Sequence, residues 1–373
     1  IQVVRGTPPD TRIPVRPFLL EKGFAKKPSR FGFEVLIDEV IYAFGFAMTR
    51  EKVIEEHLVR ITSTGERTLY HRRNGEIEFD KSLEEDPHLG FAFQGTRDNQ
   101  LFLNNSVSQK LQQFRPIHDW FKDTLQMVAP DARFGGGVLF FDEDHPLTMT
   151  MNEMLGDLDT GISHLGSEQV PLEHIQIPEG LEGELQEQLG HGRAVLVEDE
   201  ANNQFLMTRK DGELVVMKRV TVHPMTDGAG ANFEVSQESD GSRRLIDLLP
   251  AFLDLSSDKS KRVYVIDEVD RSLHTLLTRR LLEDYLASRS EDTRTQLLLT
   301  THDVLLMDQR WLRRDEMWVT ERDASGVSSL FSFSDYRDVR YDKDIRKSYL
   351  QGRLGGIPRI VSSGSGYSGS KKA

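Results

Sequence analysis

Residues 261–270 read KRVYVIDEVD, and this stretch decides the fold. Its centre, Val263–Ile266, is a run of apolar residues that Asp267 and Glu268 follow at once. An uninterrupted apolar run of this length predicts a strand buried on both faces, as in a parallel sheet that helices cover. Open α/β sheets bind ligands beyond the carboxyl ends of their strands. The first carboxylate can hold Mg²⁺ and the second can polarise a water for attack on a phosphate. The alternative is a strand followed by an exposed, acid-rich turn.

A second apolar run lies within QLLLTTHD, residues 296–303, and ends in His302. We expect it to form the neighbouring parallel strand, so that the carboxyl ends of both strands meet at one edge of the sheet. An imidazole at that edge can hydrogen-bond a γ-phosphate or orient the attacking water. A buried histidine that is satisfied within the core is the alternative.

A helix with an apolar face is predicted over residues 242–253, and Ser239 and Gly241 stand at its start. A helix N-terminus presents free N–H groups and the positive end of the helix dipole, which together favour an anion. An ordinary N-cap is the alternative for Ser239. For Arg244, which follows Arg243 in this helix, we expect a position on the solvated face.

The first 80 residues predict an antiparallel sheet. Residues 31–48 are dense in Phe, Val, Ile and Tyr and alternate around a charged break, which is typical of a β-hairpin. Residues 55–80 repeat this pattern as three short strands, and Asn74-Gly75 is a strong hairpin signal between two of them.

The middle of the chain changes character. Three- and four-residue apolar spacing predicts two helices over residues 100–128 and a short helix over 147–160. For residues 171–190, which are rich in Glu and Gln, we expect a polar, partly helical excursion. Strands return after residue 194, with a hairpin within 204–222.

Composition limits the class of protein. The chain has 373 residues, with 47 Lys and Arg against 60 Asp and Glu, a net charge of −13. This balance argues against a protein whose whole surface binds nucleic acid. We expect His71, Arg72 and Arg73 to form only a small basic patch on the surface. The absence of cysteine excludes disulfides, thiol catalysis and Cys-based zinc sites. No apolar run predicts a transmembrane helix and no signal peptide is visible, so we expect a cytoplasmic protein without a membrane partner.

Three motifs together carry a family resemblance. They are SDGSRRLIDLLPAF (239–252), VYVIDEVDRSLH (263–274) and LLLTTHD (297–303). In order and spacing they resemble the AAA/ABC-type ATPases of prokaryotic abortive-infection and anti-phage defence systems, relatives of the OLD-family and SMC-type ATPases. The stretches IPVRPFLL, TRDNQLFLNN and YLQGRLGGIP also look like that family.

The resemblance implies an α/β fold: an ABC-type ATPase head, with a mostly parallel sheet and flanking helices, plus an antiparallel β-subdomain and an inserted helical region. Residues 1–99 would be the N-terminal part of the head with the antiparallel β-subdomain. Residues 100–193 would be the inserted, mainly helical region. The head would resume over 194–360, and 361–373 would be a disordered tail.

The resemblance also implies roles around a bound ATP and Mg²⁺. Asp267 would be the Walker B acid on the magnesium side, and Glu268 the catalytic glutamate. His302 would be the switch histidine, and Asp270 would lie in the loop that crosses a dimer interface.

Other residues at this site would act between two copies of the chain. Ser239 and Gly241 would form the signature that contacts the nucleotide bound by the other subunit. Arg243 would help with phosphate binding or with pairing at the interface. A head-to-tail dimer with ATP sandwiched between the heads follows from these roles.

One departure from the family pattern concerns the phosphate-binding loop. Family members carry this loop upstream of the segment that begins here at Ile1, and no G-x-x-x-x-G-K-[ST] motif occurs in the chain. The glycines at 135–137 lack a following lysine, and residues 364–371 have the wrong order. Either the true N-terminus with its loop is missing, or the chain is a degenerate half that lends only the signature.

The function we expect is a sensor or switch: an ATPase that hydrolyses slowly, dimerises around nucleotide and controls a partner toxin or nuclease in anti-phage defence. A phage-derived trigger fits this role, and the sequence leaves contact with DNA open. One alternative is a non-hydrolysing scaffold that holds and releases an effector. A second is an SMC-like DNA-repair ATPase, which the short helical stretch 100–128 disfavours.

Overall fold

The computed structural model describes residues 2–132, 138–171, 189, 194–199, 203–210, 213–336 and 344–357. The three glycines at 135–137, most of the polar excursion (172–188 and 190) and the tail 361–373 lie outside the described residues. Contacts divide the chain into two units. The large unit comprises Ile1–Val15 and Pro28–His302, and the small unit comprises Arg16–Lys27 and Asp303–Ala373.

The large unit begins with the helix α1 (Gln2–Arg5), and an antiparallel sheet follows it, as predicted. Its strands, in spatial order, are β1 (Ser29–Ile37), β2 (Val40–Met48), β3 (Val53–Thr62), β4 (Gly65–Arg73) and β5 (Glu76–Phe79). The two-residue turns Asp38-Glu39 and Asn74-Gly75 have positive φ at every position, from 46° to 87°. Such turns match the right-handed twist of the strands they join, which is why these two positions start hairpins.

Short helices pack beside this sheet. They are α2 (Pro87–Gln94), α3 (Phe102–Ser108) and α4 (Arg115–Asp119). Phe114 and Phe121 are fully buried against the sheet. Of the two helices predicted over 100–128, the second is wrong at its end, because Leu125–Val128 forms the strand β6 after a wide helical turn. A four-residue run is too short for its apolar spacing to distinguish helix from strand.

A second antiparallel sheet follows the predicted helix α5 (Pro146–Asp157). Its strands are β7 (His164–Gln169), β8 (Val195–Glu198), β9 (Gln204–Lys210), β10 (Glu213–Pro224) and β11 (Gly230–Glu234). The long strand β10 pairs with β7, β9 and β11, and β8 pairs with β9. The predicted hairpin within 204–222 is therefore confirmed by β9 and β10.

The large unit also contains a parallel sheet of the order β13-β12-β6, with β12 at Val263–Ile266 and β13 at Gln296–Leu299. The helix α6 (Asp240–Leu255) precedes β12 in the chain, and the helix α7 (Thr275–Ala287) connects β12 to β13. The Tyr264 hydroxyl donates to Asp254 at 2.8 Å and so ties β12 to the end of α6. A parallel sheet, antiparallel sheets and helices confirm the predicted mixed α/β class.

The small unit holds a hairpin, β14 (Trp318–Arg322) and β15 (Ser328–Ser332), and the helix α8 (Ile345–Leu350). Its core contains Val319, Phe333 and Ile345. Across both units, the helices in the described part of the chain all fall short of the length and apolar content needed to cross a bilayer.

Candidate nucleotide site

The carboxyl ends of the three parallel strands meet at one edge. The Asp267 N–H donates to the Val128 carbonyl at the end of β6 (2.9 Å), and the Thr300 N–H donates to the Ile266 carbonyl at the end of β12 (3.0 Å). Both bonds extend the parallel ladders by one residue. Asp267 and Glu268, which follow β12, therefore lie beside Thr300, which follows β13. We call the edge that these three residues form the acidic edge.

The hydroxyl of Thr300 connects the two acids. It donates to Oδ1 of Asp267 and accepts the backbone N–H of Glu268 at 2.8 Å. Glu268 has a φ of +47°, a left-handed conformation that is uncommon outside glycine. The Thr300 hydroxyl thus anchors a backbone turn that sets the direction of the Glu268 side chain.

His302 stands at the same edge, next to Glu268. Its Nε2 lies 3.6 Å from Oε1 of Glu268, and the side chains are 83% and 40% exposed. Its backbone N–H lies 3.4 Å from Oδ1 of Asp270. The alternative of a buried, satisfied histidine is therefore excluded. An exposed imidazole beside a carboxylate can share a proton or hold a water with it.

The start of α6 packs against the loop that follows β12. Ser239 is the N-cap of this 16-residue helix, and its Oγ accepts the Ser242 N–H at 3.1 Å. A Cβ added to Gly241 would lie 2.9 Å from the carbonyl oxygen of Ser272, so this close approach of two backbone segments needs glycine. The predicted signature residues and the loop that carries Asp270 are consequently neighbours within one chain.

The two arginines of α6 face different surroundings. Arg243 pairs with Asp240 on the exposed first turn. Arg244 is only 6% exposed, and its guanidinium lies 3.5 Å from the Ala129 carbonyl and 3.4 Å from the Asp267 carbonyl. Burial lowers the pKa of Arg244. The solvated position predicted for Arg244 is therefore wrong, because its guanidinium is buried next to the backbone carbonyls that follow β6 and β12.

Sequence reasoning missed two residues of this edge, Thr300 and Arg244. Arg244 is spaced four residues before Leu248 and eleven before Leu255, both of which are buried, and this helical period was a readable signal. Thr300 gave a weaker one, since a threonine after an apolar strand is common. Only the pairing register of β12 and β13 brings its hydroxyl to the acids.

The chemistry of the edge suits a metal-bound phosphate. Asp267, Glu268 and Thr300 offer carboxylate and hydroxyl oxygens, which are the ligands that Mg²⁺ prefers. Asp267 and Thr300 are exposed and Glu268 is half-buried, so a ligand can reach them. The residues present therefore fit a Mg²⁺ site beside a group able to position water.

Solved structures similar to this chain include two SMC heads. One is the SMC head domain from Thermotoga maritima, with 12% identity, a TM-score of 0.27, and coverage of 79% of this chain and 74% of that chain. The other is the Smc head domain with an extended coiled coil bound to the C-terminal domain of ScpA, derived from Pyrococcus furiosus. It has 10% identity, a TM-score of 0.28, and coverage of 80% and 78%. No curated protein matches the chain.

A family model matches residues 5–308, which include the three parallel strands, the start of α6 and the two antiparallel sheets of the large unit. Its description is "AAA domain, putative AbiEii toxin, Type IV TA system". The match covers well over half of the chain, and the chain therefore belongs to this family of AAA domains.

Proposed function

We propose that this AAA-domain protein binds ATP with Mg²⁺ at the carboxyl edge of its parallel sheet and hydrolyses it slowly, as a switch. The observation that carries the proposal is the convergence of Asp267, Glu268 and His302 at that edge, with Nε2 of His302 3.6 Å from Oε1 of Glu268. A carboxylate for a cation, a second carboxylate for water and an imidazole for phosphate are three of the groups that serve phosphoryl transfer.

Each side chain has a separate task in this proposal. Mg²⁺, when bound, would neutralise phosphate charge. Asp267 holds the magnesium side, with its Oδ1 oriented by the Thr300 hydroxyl. Glu268 polarises the attacking water, and its anchored left-handed backbone keeps the carboxylate in position. His302, exposed beside it, hydrogen-bonds the γ-phosphate.

The proposed active form is a head-to-tail dimer. The exposed first turn of α6 carries Ser239, Gly241 and Arg243, and it packs on the loop that contains Asp270. The first turn of α6 and the Asp270 loop of one copy would thus reach the nucleotide that the acidic edge of the other copy holds. Free N–H groups at a helix start favour the negative charge of a phosphate.

The cellular role that we propose is control of a partner toxin or nuclease in anti-phage defence, in the cytoplasm, with a phage-derived trigger. The family description, which links the matched domain to a toxin–antitoxin system, supports an effector partner. ATP-driven dimerisation would then hold or release that effector.

The test compares ATP turnover, ATP binding and dimer formation in the wild-type protein, Glu268→Gln and Glu291→Gln. Loss of the general base should reduce turnover by about 10²- to 10⁴-fold. ATP should remain bound, and dimers should accumulate on size-exclusion chromatography. Glu291 is an exposed glutamate after α7, so its amide variant controls for the lost charge and should behave as wild type.

Two outcomes would contradict this scheme. Wild-type turnover in Glu268→Gln would remove Glu268 from the reaction. No turnover in the wild type, with unchanged dimerisation in the variant, would favour the non-hydrolysing scaffold.

A further inference from the structure

A second cluster of chemically competent side chains lies on the antiparallel sheet β1–β5. Glu55 and His57 are two residues apart on β3 and so point to the same face. His71 on β4 is paired directly with His57 in the register of the two strands. Two imidazoles and one carboxylate therefore share one patch of the sheet.

The neighbouring strand leaves room for this cluster. Gly45 on β2 is the cross-strand partner of His57, and a Cβ added there would lie 2.4 Å from Cε1 of His57. The imidazole thus occupies the space that a side chain at Gly45 would fill. Its ring is perpendicular to that of His71, with the ring centroids 6.0 Å apart.

The donor atoms of the three residues are already close. One ligand atom from each lies within 4.8 Å of the other two. In a tetrahedral zinc site with bonds of about 2.1 Å, ligand atoms are roughly 3.4 Å apart, so the three atoms lie close to the spacing that such a site needs. The separation from Oε1 of Glu55 to Nε2 of His71 is 3.1 Å, which already meets this spacing.

The second oxygen of the carboxylate is held from outside the cluster. Arg30 donates to Oε2 of Glu55 at 2.9 Å, which leaves Oε1 facing the imidazole of His71. Carboxylate ligands in proteins are usually oriented by such a hydrogen bond from a residue that does not touch the metal. Arg30 therefore supports one-oxygen ligation by Glu55.

The cluster is accessible from one side. The side chains of Glu55 and His71 are 21% and 36% exposed. A cavity of about 580 Å³ is lined by Glu55, His57 and Gly45 together with aromatic residues of β1 and β2. The cavity borders Glu55 and His57, and His71 is partly exposed beside them, so solvent can reach an ion held by the three residues.

We propose that Glu55, His57 and His71 bind a divalent transition-metal ion of the zinc type, with three protein ligands and an open fourth position. Two imidazoles with one carboxylate are a recurrent donor set for such ions when a coordination position stays open. Burial also lowers the pKa of His57, and the hydrogen bond from Arg30 lowers the pKa of Glu55, which favours the neutral imidazole and the ionised carboxylate that ligation needs.

The test is a Zn²⁺ titration of the metal-stripped, nucleotide-free protein by calorimetry, repeated on His57→Ala, His71→Ala and His88→Ala. Loss of even a supporting residue weakens metal sites by 10- to 100-fold, so loss of either ligand should weaken Zn²⁺ binding by at least about 10-fold. His88 is exposed and lies outside the cluster, so its variant controls for a lost surface imidazole.

Co²⁺ provides a second measurement, because its visible absorption reports the number and geometry of its ligands. The wild type and His88→Ala should give the same tetrahedral-type spectrum, and Glu55→Gln should change it without removing a histidine. Circular dichroism establishes that each variant is folded. The proposal fails if the wild type binds no Zn²⁺, or if folded His57→Ala and His71→Ala bind it as tightly as His88→Ala.

Discussion

A single hydroxyl organises the acidic edge. Thr300 bonds the Asp267 carboxylate and the Glu268 amide at once, and it also extends the β12–β13 ladder through its own N–H. Side-chain and backbone bonds therefore fix the two acids relative to each other. The exposed position of Thr300 means that these bonds contribute more to geometry than to global stability.

Thr300→Val removes both bonds of the hydroxyl and keeps the shape of the side chain. We expect ATP turnover to fall by about 10- to 100-fold, because Glu268 loses its anchor and the attacking water its position. Global stability should fall by only about 0.5–1.5 kcal/mol per bond. Thr300→Ser retains the hydroxyl and should stay near wild type. Equal losses in both variants on ATPase assay and urea unfolding would argue against this role.

Gly241→Ala tests the contact between α6 and the loop after β12. The new Cβ would meet the Ser272 carbonyl oxygen at 2.9 Å, so the backbone must move, at a cost of about 1–3 kcal/mol. Gly90→Ala is the matched control, since a Cβ at this helical glycine meets nothing within 4 Å. There alanine should stabilise by about 0.5–1 kcal/mol. Opposite signs in urea unfolding are expected, and equal signs would contradict a tight contact at Gly241.

At the scale of elements, strand β3 joins the antiparallel sheet to the start of α3. Glu56 is fully buried and accepts the N–H groups of Phe102 (2.7 Å) and Leu103 (2.9 Å), which begin that helix. The Tyr70 hydroxyl also donates to it, at 2.9 Å, and the buried Arg72 lies 3.7 Å away. A negative charge at a helix N-terminus is favourable, so Glu56 fixes where α3 starts.

Glu56→Ala should be strongly destabilising. It leaves two helix N–H groups without their acceptor and the buried charge of Arg72 without its counter-ion, and breaking a buried pair costs about 3–5 kcal/mol. Glu34→Ala, at an exposed position on β1 of the same sheet, should change stability by no more than about 0.5 kcal/mol. Thermal and urea unfolding measure both. Similar losses in the two variants would contradict the role assigned to Glu56.

The end of strand β5 provides a pH test. The hydrogen bond from Arg67 lowers the pKa of Asp80 from its ordinary 3.8 to about 2. A lowered carboxyl pKa contributes stability above the unfolded value, and this contribution is lost as the pH falls from 3.8 through about 2. Asp80→Asn should lack this part of the pH dependence. The measurement is the free energy of unfolding of both proteins between pH 5 and pH 2. If it changes with pH equally in both, the hydrogen bond between Arg67 and Asp80 does not contribute to stability.

The elements that the sequence predicted were those with strong local signals. Turn residues such as Asn74-Gly75 fix a hairpin by backbone conformation alone, and the run Val263–Ile266 fixes a buried strand. Strand β6 was missed because its four residues follow a helical stretch directly. Arg72 was expected on the surface but is buried. The carbonyl that accepts its hydrogen bond is that of Gln100, 28 residues away in the sequence, so nothing adjacent to Arg72 indicated this partner.

At the scale of the whole chain, the acidic edge depends on three segments that are far apart in sequence. The structure places Asp267 in contact with Thr300, and the start of α6 in contact with the loop after β12, within the large unit. The sequence predicted the acidic edge because the carboxyl ends of neighbouring parallel strands lie at the same edge of a sheet. The roles of the signature residues belong to a second copy of the chain and stay a prediction.

A mixing experiment tests the proposed head-to-tail dimer. Ser239→Arg blocks the signature and Glu268→Gln blocks the base, so each variant alone should be inactive. In a mixed dimer, one site combines the intact Glu268 of the first copy with the intact Ser239 of the second. Random mixing makes half of the dimers mixed, each with one good site, so about a quarter of wild-type turnover should return. No recovery would indicate that both residues act on the nucleotide of their own chain.

The Thr300 hydroxyl carries one hydrogen, which goes to Asp267 while its oxygen receives the Glu268 amide. If that Asp267 oxygen turned to another electropositive partner, the hydrogen would lose its acceptor and the hydroxyl would rotate. Rotation would withdraw the lone pair from the Glu268 amide, and the left-handed residue would relax. A partner bound to the Asp267 carboxylate would then change the conformation of Glu268 through rotation about the C–O bond of Thr300. Neither strand would have to move.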